Sequence, residues 1–190
     1  MILIGSWAEF LYKEKGILPG FEANIKTLDI DFLLKNLRKP NPPKNISVLA
    51  RECGYIVQND LLDGTTKIID KAGLEIEFLI GKKGSGEDDT MKTNMGITAQ
   101  AFRHMDIISN NTIQIEYLGS EINVPKPEAY AIHKMVINKD RKDKQEKDIQ
   151  AVLNIYPFLD MDIFDQICDK LNKNEIKRVN SFIETYISHH

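Results

Sequence analysis

The sequence predicts an α+β fold, in which a mixed β-sheet flanked by helices is followed by a small C-terminal helical bundle. Short apolar segments with the alternation of strands, separated by glycine and proline turns, dominate residues 1–125. From Glu128 onward, apolar residues recur at the spacing of amphipathic helices. Pro125 and Pro127 mark the change between the two patterns, so we predict two domains, 1–125 and 126–190.

The chain begins with a short apolar strand, a tight turn and a helix. Met1 to Ile4 form the strand, and helical spacing of apolar residues predicts a helix from about Ser6 to Lys15. Gly5 and Ser6 form the turn between them. Unpaired amides and the helix dipole favour anions at a helix N-terminus, so Ser6 is either a plain N-cap or part of a phosphate seat. Because the first strand is so short, we expect that the sequence begins inside the domain or lacks an edge strand.

The segment from Thr27 to Leu34 reads as a strand running into a buried sheet, because two acids alternate with apolar residues. Side chains two positions apart leave a strand on the same face, so Asp29 and Asp31 lie close together. Two neighbouring carboxylates are costly to ionise, and a divalent cation such as magnesium removes that cost. The alternative is an edge strand whose solvent face is acidic.

A second acidic strand follows in a predicted hairpin. Thr65–Asp70 and Leu74–Ile80 are its arms, and the second arm again places acids at alternate positions, Glu75 and Glu77. Two such strands side by side would gather up to four carboxylates, a charge that suits a metal site better than packing.

The remaining elements of the first domain follow from the same signals. We predict a helix over Ile46–Cys53, a strand from Tyr55, a short helix over Ile97–Met105, and a hairpin of Thr112–Leu118 and Glu121–Val124.

The helical region contains a basic run from Lys134 to Lys147, with six Lys or Arg residues against three acids. Within and just after it, Lys134, Arg141 and Asp148 are spaced by seven residues, so they share one face of a helix or helix pair. The alternative is a charged face that is simply solvated.

Composition restricts the class of protein. The formal net charge of −3 argues against a general nucleic-acid coat, although a local basic patch is compatible with it. No apolar run approaches the roughly 20 residues of a membrane helix. With only two cysteines, a reducing cytoplasm is the expected location.

Together these motifs resemble the nucleotidyltransferase superfamily of the DNA polymerase β type. Its pattern is a Gly-Ser turn opening a helix, a strand with Asp-x-Asp, and a third acid on a later strand. Here these positions are Gly5 and Ser6, Asp29 and Asp31, and Glu77 with Glu75 as the alternate. The segment from Val124 to Tyr130, with Lys134, Arg141 and Asp148, is similar to the helical region of bacterial and archaeal members, which include the toxins of abortive-infection toxin–antitoxin pairs.

The resemblance implies transfer of a nucleoside monophosphate from an NTP to a hydroxyl of tRNA, another RNA, a protein or a small molecule. Asp29, Asp31 and Glu77 would be the catalytic acids and would hold two Mg²⁺ or Mn²⁺ ions. The implied nucleotide- and phosphate-binding residues are Gly5, Ser6, Lys134, Arg141 and Asp148.

An antitoxin protein is a further partner that the resemblance implies. The family more often has Asp at the third acidic position. The alternative function is therefore a weak or inactive member that serves as a binding or regulatory module.

Overall fold

The structure is a computed structural model, and it describes residues 1–23, 28–35, 38, 41–82 and 89–188. Thr27, at the start of the predicted acidic strand, lies outside the described residues. The chain divides into two compact units, which we call the sheet unit and the helical unit. The sheet unit comprises Met1–Trp7 and the described part of Ile25–Met105, and the helical unit comprises the described parts of Ala8–Asn24 and Asp106–His190. The predicted domain boundary at 125 and 126 stays a prediction.

Strands and helices alternate irregularly along the chain, which confirms the α+β class. The elements are β1 (Ile2–Ile4), α1 (Ser6–Glu14), β2 (Asp29–Leu34), α2 (Ile46–Glu52), β3 (Ile56–Asn59), β4 (Thr66–Ile69), β5 (Glu75–Gly81), β6 (Thr90–Lys92), β7 (Thr98–Phe102), α3 (Met105–Ser109), β8 (Thr112–Tyr117), β9 (Ser120–Pro125), α4 (Pro127–Ile137), α5 (Gln145–Ile155), α6 (Met161–Cys168) and α7 (Lys173–Tyr186).

The sheet unit is built on a mixed sheet whose main path is β1-β2-β5-β4-β3. Strand β2 runs parallel to β5, whereas β1 is antiparallel to β2 and β4 is antiparallel to β5. The first half of β5 pairs with β4, and its second half pairs with β7, which also pairs with β6. Strand β5 therefore lies between the strand of the Asp pair and the first arm of its own hairpin.

One face of this sheet is apolar and forms the core of the unit. Its buried residues are Leu34, Ile68, Phe78, Ile80, Ile97, Ala99 and Ala101. Because strand side chains alternate, the residues between them on β2 and β5, which include all four acids, leave the sheet on the opposite face. Burial of the apolar face thus fixes the direction of the acidic one.

The predicted helix over Ile97–Met105 is wrong. Thr98–Phe102 forms β7, and a separate short helix begins at Met105. Ala99 and Ala101 are buried on the core face while their neighbours are half-buried, which is the period of a strand. Pairing with β5 and β6 outweighs the helix preference of alanine.

The helical unit packs around α4, which is buried along nearly its whole length. Its core combines residues of four helices and α3, namely Ile107, Ala129, Ile132, Met135, Val136, Ile149, Val152, Phe164, Ile167, Val179 and Phe182. Helix α1 is tied to this unit by the Tyr12 hydroxyl, which donates a 2.9 Å hydrogen bond to the Pro125 carbonyl. The predicted β8–β9 hairpin precedes the helices.

Candidate active site

The acids of β2 and β5 lie side by side in one row. In the parallel register, Asp29 is opposite Glu75, and Asp31 is opposite Glu77. Adjacent strands lie roughly 5 Å apart, so paired residues project from the same face as neighbours. The side chains of Glu75 and Glu77 are 39% and 32% exposed, and both aspartates are half-buried. We refer to these four residues as the acidic row.

Gly5 adjoins the acidic row. Ile4 pairs with Asp31 across β1 and β2, and Gly5 follows at once with a φ of +69°. A Cβ atom at Gly5 would lie 2.8 Å from Oδ2 of Asp31, a distance that real Cβ contacts do not reach. Glycine is therefore required twice, for its backbone conformation and for the approach of the carboxylate. Helix α1 begins at Ser6, so its N-terminus starts directly beside Asp31.

Lys67 of β4 neutralises part of the acidic row from the other side of β5. Its ammonium donates to Oε1 of Glu77 at 2.7 Å and to Oε2 of Glu75 at 2.9 Å. The hydrogen bond to Glu77, followed by the one to Glu75, raises the pKa of Lys67 above its ordinary value. Lys67 is therefore fully charged at neutral pH.

The side chains of the acidic row do not converge into a metal-binding site in this structure. Among the residues that the structure describes, no three His, Cys, Asp or Glu side chains converge closely enough to hold a metal ion. The two glutamates engage Lys67 on the β4 side of β5, whereas the Asp pair lies on the β2 side. The donor set itself, hard carboxylate oxygens on one face, fits a divalent cation. Assignment of Asp29, Asp31 and Glu77 as ligands stays a prediction.

A second charged cluster lies within the helical unit. Lys134 of α4 donates to Oδ1 of Asp148 at 2.7 Å, and Nη1 of Arg141 lies 3.3 and 3.4 Å from the two carboxylate oxygens. The Asp148 side chain is 1% exposed, the Lys134 side chain 11%, and the Arg141 side chain 31%. The seven-residue spacing thus brings all three together, with Asp148 accepting from both cations.

Two further residues extend this cluster, and the sequence reasoning gave them no role. Glu9 of α1 is buried, and it accepts a hydrogen bond from the Tyr130 hydroxyl. Burial raises the pKa of Glu9, although the Tyr130 hydrogen bond and the charges of Lys134 and Lys147 oppose that shift. Lys134 also lies over the Tyr130 ring, 5.1 Å from its centroid. An acid on the apolar face of α1, between Ala8 and Leu11, is the signal that could have identified Glu9.

Lys67 was also missed. Its signal is the sequence of the hairpin, because a lysine on the first arm faces acids at alternate positions on the second. Opposite charges across a strand pair stabilise a sheet, so a register worked out from the turn would have paired Lys67 with Glu77.

An Asp-x-Asp strand beside a glycine turn and a helix start is the arrangement that the resemblance to nucleotidyltransferases predicts. A nucleotidyltransferase family model matches residues 1–161, and the chain belongs to that family. Membership implies nucleotidyl transfer with an NTP as substrate. No curated protein matches the chain.

One solved structure that the chain is similar to is an antigenic nucleotidyltransferase-like protein from Paracoccidioides brasiliensis. The identity is 9% and the TM-score 0.49, and the match covers 96% of this chain and 78% of that chain. Separately, a membrane-crossing helix is not found in the described part of the chain, since none there combines sufficient length with sufficient apolar character.

Proposed function

We propose that the protein transfers a nucleoside monophosphate from an NTP to an acceptor hydroxyl, with release of pyrophosphate, and that it requires Mg²⁺ or Mn²⁺. One observation carries this proposal. The paired carboxylates Asp29 and Asp31 share a face with Glu77, and Asp31 packs against the glycine that precedes helix α1. Family membership makes an NTP the natural ligand of that arrangement.

Each residue of the acidic row has a separate task in this proposal. Asp29 and Asp31 would hold two divalent cations, and Glu77 would bind the second and accept the proton of the attacking hydroxyl. When bound, such ions supply charge compensation along the triphosphate and at the reacting phosphoryl group. The α1 amides after Gly5 would receive the β- and γ-phosphate oxygens, because they lie at the positive end of a helix dipole.

The helical-unit cluster would contribute a phosphate contact through Arg141. Lys134 is nearly buried and pairs with Asp148, so we propose that these two residues position Arg141 and do not contact the phosphate themselves. Arg141 is more exposed and makes only longer contacts with Asp148, which suits a guanidinium that donates to a phosphate. The contact would be to a phosphate of the acceptor.

For the acceptor, we favour the end of a tRNA or another RNA in the cytoplasm, because the basic run from Lys134 to Lys147 can neutralise backbone phosphates. A protein or small-molecule hydroxyl is the other possibility. The resemblance to toxin–antitoxin members makes an antitoxin protein a proposed partner as well.

The direct experiment measures pyrophosphate release with each NTP, Mg²⁺ or Mn²⁺, and total cellular RNA. We expect Asp29→Asn and Asp31→Asn each to lower the rate by about 100-fold or more, since charge compensation dominates this chemistry. Glu116→Gln, an exposed acid on β8, is the matched control and should retain the wild-type rate. Wild-type turnover in either aspartate variant would reject the proposed site.

A non-catalytic binding module is the second candidate, and the engagement of Glu75 and Glu77 by Lys67 favours it. A third acid that stays bound to a lysine is a weaker base and a weaker metal ligand, because the ammonium already neutralises part of its charge. Calorimetry with Mg²⁺ and each NTP separates the two functions. Nucleotide binding without turnover over a range of acceptors would support the module.

A further inference from the structure

Lys67 occupies the position from which a cation can hold the glutamates of the acidic row. It lies on β4 directly opposite Glu77, and its ammonium touches one carboxylate oxygen of each glutamate. Strand β5 separates it from the Asp pair on β2. A single ammonium therefore draws both glutamates toward β4, on the side of β5 away from Asp29 and Asp31.

This ion pair lies at a partly exposed position, where the glutamates can exchange one partner for another. All three side chains are about one-third exposed, so water screens the attraction between them. A divalent cation at the Asp pair would carry twice the charge of the ammonium. It would lie on the β2 side of Glu77, because Asp31 of β2 pairs with Glu77 of β5. The exchange would require rotation of the Glu77 side chain about its own bonds.

We propose that Lys67 is a positioning residue, which holds Glu77 in the metal-free protein and yields it to a divalent cation bound at Asp29 and Asp31. The inference rests on the proposed function, and it adds that Lys67 and the divalent cation compete for Glu77. It accounts for the lack of a three-acid group within the described residues, even though three acids share a face. After the exchange, Lys67 keeps Glu75 as its partner, so the fold is not left with an unpaired lysine.

The test measures Mn²⁺ binding by the electron paramagnetic resonance signal of free Mn²⁺, and no turnover is needed. Lys67→Met should bind Mn²⁺ about tenfold more tightly than the wild type, because the competitor for Glu77 is gone. Lys67→Arg keeps the charge and should remain near the wild-type affinity. Lys71→Met removes an equal charge from the exposed turn of the same hairpin and should change the affinity much less.

A double substitution distinguishes competition from a general charge effect. If Lys67 acts through Glu77, the gain of Lys67→Met disappears in the Glu77→Gln background. A gain that persists there, or an unchanged affinity in Lys67→Met, overturns the inference. Asp31→Asn tests the proposed function separately, since it should lose Mn²⁺ binding both with Lys67 and in the Lys67→Met background. Absence of Mn²⁺ binding in the wild type would overturn both.

A measurement on the wild-type protein covers the case in which Lys67→Met fails to fold. Acetic anhydride labelling followed by mass spectrometry compares the acetylation of Lys67 with and without Mg²⁺, using Lys71 as the internal reference. Partial release of Lys67 predicts a several-fold rise in its labelling with Mg²⁺. Equal labelling in both conditions would contradict the exchange.

Discussion

At the scale of single residues, Gly5 meets two demands at once. Its φ of +69° is costly for any residue with a side chain, and Oδ2 of Asp31 occupies the space of a Cβ. Gly16 has a similar φ of +62° but no atom within 4 Å of its Cβ position. A comparison of Gly5 with Gly16 therefore separates the cost of backbone strain from the cost of contact with Asp31.

We expect Gly5→Ala to destabilise the protein by about 2 kcal/mol or more and Gly16→Ala by about 1 kcal/mol, because only the first adds a steric clash to the strain. Urea unfolding measures both. Gly5→Ala should also weaken Mn²⁺ binding, since Asp31 must move. Equal costs for the two variants would show that the Asp31 carboxylate does not press on Gly5.

Glu9 gives a pH-dependent prediction. Burial raises its pKa in the folded protein, so the folded state takes up a proton at Glu9 more readily than the unfolded chain. Its contribution to stability is therefore fullest below the ordinary glutamate pKa and is lost as pH rises through the raised value.

Glu9→Gln should accordingly gain stability relative to the wild type as pH rises from about 4 to 7, the span above the ordinary glutamate pKa. Urea unfolding at several pH values measures this difference. Glu14→Gln, an exposed acid of the same helix, should show no such trend. A difference that shrinks with rising pH would contradict the direction of the Glu9 shift.

At the scale of elements, the ion pair of Lys134 and Asp148 joins α4 to α5. Because Asp148 is almost fully buried, removal of its closest cation leaves a charge that water cannot reach. Such losses cost more than the pair itself contributes.

We expect Lys134→Met to cost about 3 kcal/mol of stability, and Lys134→Met combined with Asp148→Leu to recover part of it. Urea unfolding of the two single variants and the double variant completes the cycle. Lys144→Met, at an exposed position, should be nearly neutral. Additive costs in the double variant would mean that the two side chains do not interact.

The sequence predicted those elements whose signals, such as alternation or turn residues, lie within a short segment of the chain. Alternation identified β2 and the β4–β5 hairpin, and turn residues identified β8–β9. Strand β7 could not be found in this way, because its alanines have no preference for strands and only pairing with β5 and β6 makes it one. The Asp pair followed from the period of two, whereas Glu9 and Lys67 depended on contacts between distant segments.

At the scale of the whole molecule, two units with separate cores divide the charged groups between them. The acidic row and Lys67 belong to the sheet unit, and the Lys134, Arg141 and Asp148 cluster belongs to the helical unit. The family match over residues 1–161 includes both groups. The overall class was predictable because the described strands all end by Pro125, and helices α4 to α7 follow them. The assignment of α1 beyond Trp7 to the helical unit depends on packing, which no local pattern records.

The most direct test of the central claim is anomalous scattering from crystals of the protein with Mn²⁺ and a non-hydrolysable NTP. We predict a manganese peak bound by Asp29 and Asp31, with Glu77 turned toward it and the triphosphate at the N-terminus of α1. A manganese ion bound elsewhere, with the acidic row still held by Lys67 in the presence of nucleotide, would contradict the account.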